Sequence, residues 1–177
     1  MGKLVTVTTP SDRELTLVRE FDAPARLIWD AHTKPELMKR WLFGPPGWSM
    51  PHCTVDLRVG GRYRYVWRND ETGARFGAYG EHLEVAPFQR IVATENKDGL
   101  GLGPFDFEPP WGSEPASMNT LTLAEAGGKT TLTLNMRFPS KEIRDSAVRS
   151  GMRDGMASGY DRLEAMAAEF ATSGAQS

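Results

Sequence analysis

Ser150-Gly-Met-Arg-Asp-Gly-Met-Ala-Ser-Gly-Tyr160 places glycines at 151, 155 and 159, one every four residues, inside a segment that otherwise reads as a long amphipathic helix. On a wheel of about 3.6 residues per turn, Val148, Met152, Met156, Leu163, Met166 and Phe170 share a stripe with these glycines, while Arg149, Arg153, Asp154, Asp161 and Glu164 point away. Each interior glycine costs roughly 1 kcal/mol relative to alanine, so three remove about 3 from a usual total of roughly 5–15 kcal/mol. Two compensating gains are open: close backbone packing of the helix on a sheet, or room left by the missing side chains for a bound molecule.

With 177 residues, 40% of them hydrophobic, the chain is long enough to remove about 70% of its unfolded surface from water, and it reads as a single domain over residues 1–177. A net charge of -2 and a pI near 5.9 leave no basic field for phosphate backbones, so nucleic acid is not an expected partner. Cys53 stands alone, which excludes an internal disulfide, and Met1–Pro10 lacks the apolar run of a secretory signal. No run approaches the roughly 18 apolar residues of a membrane span. A soluble, cytoplasmic protein is expected.

Outward from the helix, period-two alternation predicts a strand over Leu15–Phe21 with Leu15, Leu17 and Arg19 on one face. A helix follows Pro24 through about His32, and a second short one runs from Glu36 to Trp41 after Lys34-Pro35. Phe43-Gly-Pro-Pro-Gly-Trp48 reads as a loop. Strands are then predicted at Cys53–Leu57, Arg62–Arg68, Arg75–Val85, Arg90–Asn96, Ser117–Ala124 and Thr130–Phe138, with turns at Val59–Gly61, Asn69–Gly73 and Gly127–Gly128. Ser140 caps the terminal helix. The order predicts an α+β domain in which a curved antiparallel sheet of about seven strands wraps the C-terminal helix. Lys97–Ala116, rich in Gly and Pro yet carrying Phe105, Phe107 and Trp111, reads as a lid or contact arm, or else as disorder or a plain surface excursion. An exposed Trp111 would make it a place for a second copy of the chain to dock.

Six blocks in order carry a resemblance: Val18-Arg-Glu-Phe-Asp-Ala-Pro24 with Trp29; Lys34-Pro-Glu36 with Leu37 and Arg40-Trp41; Gly44-Pro-Pro-Gly47; Val55-Asp-Leu-Arg-Val-Gly-Gly-Arg-Tyr63; Gly80-Glu-His-Leu-Glu-Val85 with Pro87; and Ser150–Met156 continuing through Leu163. Together they resemble the START/SRPBCC helix-grip superfamily, in its branch similar to the C-terminal domain of the activator of heat-shock protein 90 ATPase, over about residues 13–170. The resemblance implies a sheet gripping a C-terminal helix, with a cavity between them that in many relatives takes a hydrophobic small molecule. The chain departs from the pattern at the insertion Lys97–Ala116 and at His82, where relatives often carry an aromatic residue.

Alternation puts Tyr63, Tyr65 and Trp67 opposite Arg62, Arg64 and Arg68, so the aromatic row is expected to face the helix. Leu132, Leu134, Met136 and Phe138 form an equivalent row, and Phe76, Ala78, Gly80 and His82 share a face. The ligand-binding candidates are Trp41, Trp48, Tyr63, Tyr65, Trp67, Phe76, His82, Met136, Met152, Gly155 and Met156, whose alternative role is ordinary core. Polar-tipped aromatics and thioethers suit a site that repacks around a guest. At about 24 cal/mol per Å³, a dry void of about 300 Å³ would forfeit roughly 7 kcal/mol, so water, a ligand or collapse must fill it.

For catalysis the residues offer less. His32, His52 and His82 have no metal-ligand spacing, no nucleophile elbow or phosphate loop is present, and Gly99-Leu-Gly-Leu-Gly103 lacks a strand-to-helix context. No catalytic residue, metal or cofactor is assigned. The expected function is binding of a hydrophobic or aromatic small molecule, in stress response or metabolism. The alternatives are a chaperone-activator-like interaction module, with a chaperone as partner, and a polyketide cyclase-like or hydrolase-like enzyme in which His82 moves a proton with Tyr65 or Glu81.

Overall fold

A computed structural model describes residues 3–101 and 109–174 of the chain. Within them the order is β1 (Thr6–Thr8), β2 (Glu14–Phe21), α1 (Ala25–Thr33), α2 (Pro35–Trp41), β3 (Trp48–Val55), β4 (Arg62–Asn69), β5 (Arg75–Ala86), β6 (Arg90–Gly101), β7 (Ser117–Ala126), β8 (Lys129–Arg137), α3 (Lys141–Arg149) and α4 (Met152–Gly174). Eight described strands form one antiparallel sheet in the order β1-β2-β8-β7-β6-β5-β4-β3, curved around α4. This is the α+β helix-grip arrangement expected from the sequence, with β1 as a strand the alternation did not predict. Three residues are too few to show a period.

The register shows why one face is apolar. Leu17 pairs with Leu134, which pairs with Leu121, which pairs with Ile91; one row on, Arg19 pairs with Leu132, which pairs with Leu123. These side chains line the concave face, where Phe21, Ile28, Trp41, Tyr160 and Leu163 complete the core. Threonines dominate the convex side of the same rows, with Thr16, Thr120, Thr122, Thr131 and Thr133. At the sheet's other margin β3 begins at Trp48, five residues before the predicted start, and a bulge at Met50-Pro51 offsets its pairing with β4. Pro51 is exposed there, on a strand with no further neighbour among the described strands.

The terminal helix differs from its sequence reading. Ser140 does cap α3, its hydroxyl accepting from the Ile143 N–H at 3.3 Å. The helix then breaks at Ser150-Gly151, and α4 begins at Met152. Gly151 adopts φ +79, so it terminates α3 rather than sitting inside a continuous helix. Gly155 is exposed with nothing within 4 Å of where a Cβ would stand, whereas Gly159 packs against Trp41. Of the three glycines, then, only the last approaches a neighbour closely. Val148, expected on the covered stripe of one continuous helix, is 44% exposed near the end of α3, just before the break.

Two arginines fasten these helices to the sheet. Arg144 of α3 donates to the carbonyls of Ser11 (2.7 Å) and Glu14 (3.3 Å). Arg19 of β2, 1% exposed, donates through Nη2 to Asp161 of α4 at 2.9 Å and sits over the Phe21 ring. A third, Arg162, reaches from α4 to the carbonyls of Trp41 (3.0 Å) and Gly44 (2.9 Å), with its guanidinium over Phe43.

The insertion is partly strand. β6 continues through Gly101, so Gly99 to Gly101 belongs to the sheet and not to a loop. Phe105 and Phe107 lie outside the described residues. The returning segment crosses the convex face: Trp111 meets Tyr79 edge-on at 5.3 Å, Arg62 stacks on Trp111 at 4.7 Å, and the Ala116 N–H donates to Asn96 at 2.8 Å. Trp111 is therefore half-buried against its own sheet, which corrects the expectation that it is exposed.

Candidate functional site

The hairpin of β4 and β5 builds an aromatic patch on the concave face. Tyr63 pairs with Gly80, Tyr65 with Ala78 and Trp67 with Phe76, so both rows identified in the sequence point the same way. Gly80 is what lets Tyr63 lie flat: its hydroxyl donates to the Thr94 carbonyl at 2.6 Å, crossing the space a Cβ on Gly80 would need. Trp67 stacks on Phe76 (4.8 Å, 15°), anchors its indole N–H on the Leu42 carbonyl at 2.6 Å, and Trp48 meets Phe76 edge-on at 5.4 Å. Tyr65 stands between, 4.9 Å from Tyr63 and 6.0 Å from Trp67, and is half-buried while both neighbours are buried. Burial pushes the phenols of Tyr63 and Tyr65 well above their ordinary range, and the Glu95 carboxylate adds to the effect. Both stay neutral hydrogen-bonding groups.

His82 is 4% exposed, 5.4 Å from Tyr63, with Nδ1 at 3.0 Å from the Asp56 carbonyl. That contact makes Nδ1 the protonated nitrogen, and burial lowers the imidazole's pKa. A neutral ring held by the Asp56 and Gly61 backbone results. Glu81 points to the opposite face, paired with Arg62, and does not assist it.

Two polar groups escaped the sequence reading. Glu95 continues the inward alternation of Ile91 and Ala93. Its side chain is 18% exposed, pairs with Lys97 at 2.6 Å and accepts from the Asn119 amide at 3.2 Å. Asn119 pairs with Ala93, which pairs with His82, so these groups border the aromatic patch. Reading the β6 alternation past Ala93 would have found Glu95.

The remaining candidates divide among neighbouring clusters. Trp41 belongs to the main core, stacked on Tyr160 at 5.7 Å and donating to the Ala31 carbonyl at 2.8 Å. Met136 is buried in the same core, against which half-buried Met152 and Met156 pack. Trp67 belongs to a second cluster with Met38, Met50, Cys53 and Ala78, and Tyr65 borders both. Gly155 is on the exposed side of α4. The structure thus brings Trp48, Tyr63, Tyr65, Trp67, Phe76 and His82 into one patch, with Trp41, Met136, Met152 and Met156 on the main core beside it.

A separate cleft of about 300 Å³ lies at the other margin of the sheet. Val7, Leu15, Leu17, Ala147, Val148 and Met152 line it, with Arg149, Arg153 and Asp154 at its rim. It exists because the α3–α4 elbow is tied down on both sides, by Arg144 and by the Arg19–Asp161 pair, while Gly151 carries the chain across between them.

Other reactive side chains are quiet. Cys53 is buried beside Met38 and its thiol is pushed up to about 11, far from a thiolate at neutral pH. His52 is on β3, and His32 lies in the ring cluster of Trp41 and Tyr160. Among the described residues no three His, Cys, Asp or Glu side chains gather as a metal site. Nor is any described helix long and apolar enough to cross a membrane.

Known proteins extend this picture. The family described as Activator of Hsp90 ATPase homolog 1-like protein matches residues 22–168. Among solved structures, a Rhodobacter sphaeroides protein superposes with a TM-score of 0.78 at 27% identity, covering 93% of this chain and 98% of its own. A Nitrosomonas europaea protein gives 0.76 at 26%, covering 93% and 99%, and a Mycobacterium smegmatis protein 0.74 at 27%, covering 92% and 96%. No curated protein matches.

Proposed function

This chain belongs to the Activator of Hsp90 ATPase homolog 1-like protein family, and from that premise we propose that it is a cytoplasmic, non-enzymatic binder of a hydrophobic or aromatic small molecule. The ligand lies between the sheet and α4, against the Tyr63, Tyr65, Trp67, Phe76 patch, with Met136, Met152 and Met156 adapting to it. The observation that carries this reading is Tyr65: a large ring left half-buried between two closed neighbours, in a row whose other aromatics are packed or stacked. A guest ring stacked on Tyr65 would bury what the protein itself leaves open. Glu95 and Asn119, with the His82 ring beside them, supply the few polar contacts that orient such a guest.

Thermal-shift and fluorescence titration with 1-naphthol and related bicyclic aromatics tests the reading, with Tyr65→Ala as the comparison. Binding that raises the unfolding midpoint and is lost in Tyr65→Ala supports it. No shift from any aromatic compound, or equal binding by Tyr65→Ala, refutes it.

A second reading, interaction with a chaperone, is favoured by the description of the family itself. Copurification with an Hsp90-type chaperone from the native host, unaffected by Tyr65→Ala, would favour it over ligand binding.

A further inference from the structure

The cleft under the α3–α4 elbow has a floor and a rim of different chemistry. Leu15 and Leu17 are buried beneath it, Val7 and Met152 are half-buried along it, and Val148 stands 44% exposed at its mouth. Arg149 and Arg153 flank that mouth, and neither has a hydrogen-bond or ion-pair partner among the described residues. The sequence reading turned both arginines away from the covered side of the helix. They instead border the cleft floored by Leu15 and Leu17, because the break at Gly151 brings the end of α3 and the start of α4 together over β1 and β2. Opposing helix ends meet here, so their dipoles largely cancel and the two guanidiniums set the sign of the site. Asp154 returns one negative charge, leaving the rim cationic.

We infer that this cleft binds an acidic amphiphile, a short aliphatic carboxylate whose chain lies on Leu15, Leu17 and Met152 and whose carboxylate is held by Arg149 and Arg153. The inference goes beyond the aromatic-ligand reading: it concerns the opposite margin of the sheet and shares only Met152 with the other candidate set. Size selects within the class. A cleft of about 300 Å³ lies at the small end of ligand-pocket volumes, which favours a short chain such as that of octanoate. Guanidinium is suited to the head group because its planar fork can offer a carboxylate two parallel hydrogen bonds.

The test is a methyl-detected NMR titration of the whole chain with octanoate, with 1-octanol as the neutral control, on the native protein, Arg149→Gln/Arg153→Gln and Val148→Glu. All three altered positions are exposed, so the variants should remain folded, which their spectra report directly. Octanoate is expected to shift the methyls of Val7, Leu15, Leu17 and Met152, about tenfold more weakly in the double arginine variant and undetectably in Val148→Glu, where the new charge meets the carboxylate. Equal binding of octanol and octanoate, or undiminished octanoate affinity in the double variant, overturns the inference of anion recognition. Shifts confined to Met136, Met156 and residues beside Tyr65 overturn the cleft while leaving the aromatic site standing. Absence of any shift also overturns it, and leaves the 1-naphthol experiment to decide the other reading independently.

Discussion

Gly159 lies over Trp41: a Cβ built on the glycine would stand 3.5 Å from the indole Cε3 and 3.6 Å from the Trp41 carbonyl oxygen. That is ordinary van der Waals contact, so alanine fits while anything larger does not. The three glycines of one four-residue repeat should therefore respond to alanine with different signs. Gly155→Ala, facing open space in a helix, is expected to stabilise by about 0.5–1 kcal/mol. Gly159→Ala is expected to be neutral or mildly stabilising, and Gly159→Leu strongly destabilising. Gly151→Ala, at φ +79, is expected to cost about 1 kcal/mol. Melting midpoints check the set, at about 2–4 °C per kcal/mol for a chain of this size; equal losses at all three positions would contradict it.

Gly80 answers differently. A Cβ there would strike the Thr94 carbonyl and come within 2.8 Å of the Tyr63 hydroxyl. Tyr63→Phe is expected to cost about 1 kcal/mol for the lost hydrogen bond, and Gly80→Ala considerably more. Combining the two should not rescue Gly80→Ala, since the backbone carbonyl remains in the way. Urea denaturation of the single and double variants measures this, and a rescued double variant would mean that the tyrosine alone demands the glycine.

Much of this was legible in the sequence and some was not, for physical reasons. Tyr63, Tyr65 and Trp67 could be assigned to the inner face because a strand's side chains alternate strictly, and the Gly80 face followed once pairing fixed its register. The break at Ser150-Gly151 could not, because a glycine after a run of helix formers reads equally as an interior residue or as a terminator until its φ is known. The elbow cleft inherits that ambiguity. Arg149 and Arg153 fall on the wet side of one continuous helix and on the rim of a hollow only when there are two. Trp111 read as exposed because no local pattern connects it to Tyr79, thirty-two residues earlier.

Arg19 offers a ranking. Its side chain has no solvent exposure, its Nε and Nη1 have no hydrogen-bond partner, and its charge is met by Asp161 at 2.9 Å and Glu164 at 3.8 Å. Removing the partner strands a buried cation. Asp161→Ala is expected to destabilise, though by less than the roughly 3–5 kcal/mol of a fully buried pair because Asp161 is 49% exposed and Glu164 remains. Arg19→Met is expected to be neutral or stabilising. Denaturant midpoints that rank these two variants in the opposite order would show that the ion pair itself holds α4 on the sheet.

His32 gives the fold a dependence on acid. Its Nδ1 lies 2.7 Å from the Ile28 carbonyl, Nε2 is buried without a partner, and burial lowers its pKa from 6.5 to about 4. Between these values the unfolded chain binds a proton that the folded one refuses. The contribution to stability is therefore complete above about pH 6.5, is lost as the pH falls toward 4, and is constant below that, for a change on the order of 3 kcal/mol. His52 and His82, also lowered by burial, add in the same direction. His32→Asn should flatten the slope of stability between pH 6.5 and 4, measured by urea denaturation; an unchanged slope would place the acid sensitivity elsewhere.

Pro51 bears on how copies of this protein can meet. The outermost strand at one margin carries a residue with no N–H and a bulge beside it, and the opposite margin ends in a strand of three residues. Neither margin offers a straight ladder of free amides for an incoming chain to extend. Growth by edge-to-edge templating is thereby blunted at both ends, so self-association has to proceed through faces and helices, where side chains rather than main chain decide which neighbour is accepted.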